Sequence, residues 1–216
     1  ALSELAIINT HPGEFAALLT AVFWTITALA FEAAGKRIGS LQVNFLRLIL
    51  GLIFLSMFNL VRGSQVFPID ASGYNWLWLS LSGLVGIFLG DLFLFKSYTI
   101  IGSRFSMLIM TLVPPITAFF SFIILKEHLS LLHFLGMALT FGGISIAIFN
   151  RNGKGEKLSL KLAPAGVLYA LGGAAGQALG LVLSKQGLGN CDPFSATQIR
   201  VISGLAGFSV LVTLMN

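Results

Sequence analysis

The chain has 216 residues, of which 10% are charged, 56% belong to the AVILMFWYC set and 19 are Phe. Soluble domains carry about 25% charged residues, and with a mean hydropathy of +0.92 this composition excludes an ordinary soluble fold. The net charge of +5 is no nucleic-acid signal, because the basic residues sit mostly between apolar runs, where they suit anionic lipid headgroups. A single cysteine, Cys191, excludes an intrachain disulfide.

Seven apolar runs of about 20 residues follow, each long enough to cross a hydrocarbon core. They cover residues 13–35, 41–61, 74–95, 105–125, 129–149, 163–184 and 194–215. A backbone in lipid must satisfy its own hydrogen bonds, and these runs are twice the length of a barrel strand, so helices are predicted. The fold class is an all-α membrane protein. In the first run Glu14 and Glu32 lie 18 residues apart, about 27 Å along a helix, which puts each at headgroup depth. Trp24 stands halfway between them, placed for packing or for lining a cavity. Short connections make sequence neighbours antiparallel. Arg47, early in the second run, and Asp91, late in the third, therefore reach similar depth. Charges at that depth are costly and default to functional hypotheses; a structural ion pair and direct work on a substrate or proton are the two readings.

The third run holds Ser82, Gly86 and Gly90 at four-residue spacing, and the sixth holds Gly172, Gly176 and Gly180. Such faces let helices approach closely. Trp76, opening the third run, reads as an interfacial belt residue. Pro114 and Pro115 fall within the fourth run, where proline removes a donor and kinks a helix; broken helices in carriers also expose backbone to substrate. Glu127, His128 and His133 lack a fourth ligand, and no metal or other cofactor is expected. No phosphate loop, nucleophile elbow or HExxH sequence is present, so no enzyme is predicted.

An offset of 153 residues superposes Gly13 on Gly166, Ala17-Leu18 on Ala170-Leu171, and Arg47 on Arg200 without a gap. The stretches RLILGL from Arg47 and RVISGL from Arg200 correspond, and Gln177 falls where the first copy has Trp24. Five helices separate the copies, and an odd number of crossings inverts the second. The predicted organisation is a five-helix repeat over residues 1–150, a connecting loop at 151–162, and the first two helices of a second repeat at 163–216. Inverted repeats recur in transporters, with the site near the midplane. On this reading the chain is a truncated form of a ten-helix carrier.

The segment IIGSRFSMLIMTLVPPITAFFSFIILKEHLSLLHFLGMALTFGG, from Ile100, resembles the EamA-type repeat of the drug/metabolite transporter superfamily. The matching positions are Ser103, Pro115, Glu127, Gly136 and Gly143, with Gly13, Trp24 and Arg47 fitting earlier and Gly90-Asp91 looking like one branch of the family. The resemblance implies a ten-helix, two-repeat carrier of small metabolites. The expected function is secondary transport of an amino acid, nucleoside, related compound or drug-like efflux substrate by alternating access; the alternative is a non-transporting receptor or assembly subunit. Expected substrate contacts are Trp24, Arg47, Asp91, Pro115, Gln177 and Arg200. Expected partners are a small-molecule substrate and membrane lipid, with no nucleic acid and with a homodimer open as an assembly. The expected location is the inner cell membrane. Orientation is contested. Connections after the first, third and fifth runs hold eight Lys and Arg against three on the other side, which puts the N-terminus outside, whereas the resemblance implies a cytoplasmic N-terminus.

Overall fold

The computed structural model describes residues 12–63, 66–127, 130–149 and 163–215, and among these it contains helices and no strand. The helices are α1 (Pro12–Ile38), α2 (Ser40–Val61), α3 (Gly73–Ser82), a π-helical stretch (Gly83–Gly90), α4 (Asp91–Met110), α5 (Val113–Ile124), α6 (Leu131–Phe149), α7 (Pro164–Leu188) and α8 (Pro193–Met215). Among the described residues, five helical stretches are long and apolar enough to cross a membrane. The chain is an all-α, multi-pass integral membrane protein.

One stretch, Gly73–Met110, counts 38 residues, or about 57 Å at 1.5 Å per residue, nearly twice a hydrocarbon core. Gly102 resolves the excess. Its φ of 80° and ψ of 157° break the rod, in a region that favours glycine, so one span ends at Ile101 and the next starts at Ser103. The sequence predicted a nine-residue connection here. The structure keeps residues 96–101 helical because Ser97 and Tyr98 are buried, and a single glycine makes the turn. Gly39, at φ 93°, likewise reduces the predicted connection between α1 and α2 to one residue. The Pro114-Pro115 break occurs where expected. α4 ends at Met110, and α5 begins at Val113 with the prolines in its first turn, where their missing N–H groups cost nothing.

The small-residue faces meet. α7 packs along α3, the π stretch, α4 and α5, while α8 packs on α2, α3 and the π stretch. A Cβ on Gly176 would stand 2.7 Å from the Gly90 Cα, and one on Gly180 2.7 Å from the Gly86 Cα. The Ser82 hydroxyl donates to the Gly180 carbonyl at 2.6 Å, so the contact is hydrogen-bonded as well as close. On its other side the π stretch meets α8, with Gly207 against the Phe88 ring and Phe88 edge-on to Phe208 at 4.9 Å. Trp76, in the first turn of α3, packs partly buried against Leu79, Ala196 and Ile199. The outer faces carry Leu46, Leu50, Ile53, Phe54 and Met57 on α2 and Leu18, Val22 and Ile26 on α1, the side chains a lipid-facing surface requires.

Backbone lies opposite backbone at Gly180, so G180L has no flexible neighbour to displace. It should lower stability by at least about 1–3 kcal/mol, read as a fall in melting temperature in detergent. G51A, with open space around its new methyl group, should leave that temperature unchanged or slightly raised. Equal effects at the two positions would show that the glycine face does not set the packing.

Candidate functional site

Asp91 opens α4 directly after the π stretch and is 3% exposed. It lies 18 residues from Gly73, about 27 Å along the helix, and 11 residues, about 17 Å, from the break at Gly102, well inside the apolar layer. Both oxygens are met. Arg47 of α2 donates from Nη2 to Oδ2 in an ion pair, and Gln177 of α7 donates from Nε2 to Oδ1 at 2.6 Å. Gln177 also leans on the Gly86 carbonyl at 3.4 Å. Its reach depends on the Gly90–Gly176 approach, because a Cβ on Gly90 would stand 3.2 Å from the Gln177 backbone nitrogen. The predicted pairing of Arg47 with Asp91 is present in the structure.

The Arg47 guanidinium also lies over the Phe95 ring, 5.0 Å from its centroid, and 5.9 Å from that of Phe31. Cation–π contact of this kind stabilises a desolvated guanidinium. Two open cavities border the pair. One, of about 400 Å³, is lined by Trp24, Phe31, Arg47, Asp91, Leu94 and Tyr98 among others. Its neighbour, of about 270 Å³, shares Trp24, Arg47 and Asp91 and adds Leu48, Gln177 and Val201. The 153-residue offset pairs Trp24 with Gln177 and Leu48 with Val201, so residues equivalent in the two copies line one cavity together. Arg200, the equivalent of Arg47, directly precedes the cavity-lining Val201, with a terminal nitrogen close to Gly86 and within electrostatic reach of Asp91.

Of the six residues predicted to contact substrate, Trp24, Arg47, Asp91 and Gln177 line this space, and Arg200 is next in the chain to Val201, which lines the smaller cavity. Pro115 does not join them. It lines a separate cavity of about 350 Å³ with Thr111, Pro114, Leu132, His133, Gly136 and Met137, because the helix break turns this face of α5 toward α6. Of the acidic–histidine trio, Glu127 pairs with Lys185 at 2.7 Å, His133 bonds Ser130 at 2.7 Å, and His128 lies outside the described residues. Among the described residues no cluster of three metal-ligating side chains occurs. The connecting segment 151–162 is also outside them.

Glu32 holds a position the sequence did not reveal. Its carboxylate accepts from the Ser103 backbone N–H at 2.7 Å and from the Ser103 hydroxyl, while Lys36 closes on the other oxygen at 2.5 Å. The end of α1 thereby caps the helical segment that restarts after Gly102, supplying the acceptor a helix N-terminus lacks. The signal for a helix start was present in Gly102-Ser103. The capping partner lies 71 residues earlier, where sequence alone gives no pointer. Asn44, one turn before Arg47, is fully buried, and neither its amide nitrogen nor its oxygen finds a partner.

Removing one member of a buried pair leaves the other charge unsatisfied, at a cost of about 3–5 kcal/mol. R47M should therefore lower the melting temperature in detergent sharply, and adding D91N to it should recover most of the loss. Additive losses in the double variant would mean that the two residues are not energetic partners.

Comparison with known families matches the EamA-like transporter family over residues 11–149, more than half of the chain. No curated protein and no solved structure gives a match. With its buried polar cluster between apolar helices and this match, the chain belongs to the EamA-like transporter family.

Proposed function

We propose that the chain is a secondary carrier that moves a small metabolite across the membrane by alternating access. Membership of a transporter family supports transport in general. The observation that carries the finer reading is the Arg47–Asp91–Gln177 cluster beside two open cavities. Ionisable groups inside a bilayer are expensive, and where they persist they mark substrate or ion pathways. Cavities of a few hundred Å³ suit a metabolite-sized ligand, and those beside Asp91 measure about 400 and 270 Å³.

The convergence of Trp24 with Gln177 and of Leu48 with Val201 supports a division into two related units, residues 1–150 and 163–216, joined at 151–162. Inverted units of this kind rock about a midplane site. The Arg47–Asp91 pair would then hold one arrangement closed, and a substrate competing for these groups would favour the other, since a ligand shifts an equilibrium only by its differential affinity for the two states. Without a nucleotide-binding motif in the sequence, the driving force is an ion gradient or exchange against a second solute. The inner cell membrane is the location proposed.

Purified protein in liposomes should take up or exchange at least one member of a broad metabolite panel. D91N and R47Q should reduce that rate by at least tenfold, equivalent to about 1.4 kcal/mol in the barrier, in protein that still elutes as the folded species. Absence of movement under every imposed gradient and exchange condition would contradict the proposal and favour a non-transporting membrane role.

A further inference from the structure

Among the described residues, the charges around the central cavities do not balance. Asp91 is the carboxylate that faces them, and both of its oxygens are occupied, one by Arg47 and one by Gln177. Glu32, a carboxylate on α1 that lines neither cavity, is already matched by Lys36 and by Ser103. Against the single negative charge of Asp91 stand two guanidinium groups. Arg47 uses one nitrogen on Asp91; its Nε is buried without a partner, and its side chain, 26% exposed, lines both cavities. The Arg200 side chain makes no hydrogen bond and no close ion pair with any described residue, and its Nε is buried and unpartnered. The opposite charge that acts on it is Asp91, already committed to Arg47.

An arginine cannot relieve this by losing its proton, and an unmatched charge in a low-dielectric setting is costly. The surplus positive charge therefore calls for an anion. We propose that the substrate of this cavity is an organic anion, held by the free donors of Arg47, with Arg200 supplying the positive charge that offsets it. A carboxylate or similar oxyanion matches the forked donors of a guanidinium. The Trp24, Phe31, Phe95 and Tyr98 rings around the larger cavity suit an apolar or aromatic body attached to the acidic group. An amine is disfavoured twice: no carboxylate oxygen is free to receive it, and both guanidinium charges repel it.

Transport of this anion rests on the carrier reading above; anion binding itself is measurable without transport. Three probes of matched shape separate the alternatives: 3-phenylpropionate, 3-phenylpropionamide and 3-phenylpropylamine. In detergent, with no gradient present, a ligand of the folded state raises the melting temperature. The carboxylate should raise it most and the amine least. R200Q should weaken carboxylate binding by about tenfold without changing the response to the amide, and R200K should restore most of it. R200Q without ligand should melt no lower than the parent protein, because it removes an unmatched, partly buried charge; a residue serving packing alone would show the reverse pattern. Should R200Q fail to fold, the ranking of the three probes on the parent protein still decides. Equal shifts for carboxylate and amide, or a larger shift for the amine, would overturn the proposal. Selective carboxylate binding with no movement in liposomes would remove the carrier reading and leave this one. Gradient-driven movement of the amine or amide with no preference for the anion would do the opposite.

Discussion

A carboxylate well inside an apolar layer is tolerated only when its oxygens are both satisfied, and the centre of this protein is organised around meeting that demand at Asp91. Arg47 comes from α2 and Gln177 from α7. The second contact exists because two helices approach closer than any side chain permits. Gly90 and Gly86 lie against Gly176 and Gly180, so α7 rides on backbone and Gln177 reaches across. Enlarging either glycine face would move α7 outward and open the Gln177–Asp91 bond. Packing energy and polar satisfaction are thus one constraint here, since van der Waals contact and interhelical hydrogen bonds are what holds helices together in lipid.

The π-helical stretch Gly83–Gly90 serves the same arrangement. Wide helical turns are rare and often mark functional segments; this one lies directly before Asp91, between α7 on one side and α8 on the other. It brings Arg200 close to Gly86 and lets the Gly86 carbonyl meet Gln177. The far end of the same rod is fixed by Glu32, which caps the segment restarting at Ser103. α1 therefore contributes to the centre in two ways. It supplies Trp24 to the cavities, and it anchors the turn between two spans.

How much of this was legible follows from what fixes each feature. The helical runs were readable because a bilayer forces length and composition together. Arg47 and Asp91 were readable as partners because antiparallel neighbours share depth. The glycine faces were readable from four-residue spacing, yet Gln177 appeared only as a departure from Trp24 at the repeat offset. Its bond to Asp91 depends on how closely the two helix backbones approach, which spacing does not encode. The π stretch carries the same apolar pattern as an α-helix and leaves no separate trace. Pro115 was grouped with the centre because it breaks a helix, but which side of the break faces the cavity depends on the turn after Met110. Residues 96–101 read as a connection because they fall between the third and fourth apolar runs, whereas in three dimensions Ser97 is buried and bonded to Ser106.

Trp24 and Gln177 border one cavity, and a carrier requires that space to be water-accessible inside the membrane. In a C191S background, single cysteines replacing Trp24 and Gln177 should react with a charged, membrane-impermeant thiol reagent in intact proteoliposomes. A cysteine replacing Phe54, 67% exposed on the outer face of α2, should not react, because lipid excludes the reagent there. Modification of the first two with protection of the third is the predicted result; unreactive cysteines at both cavity positions would contradict it.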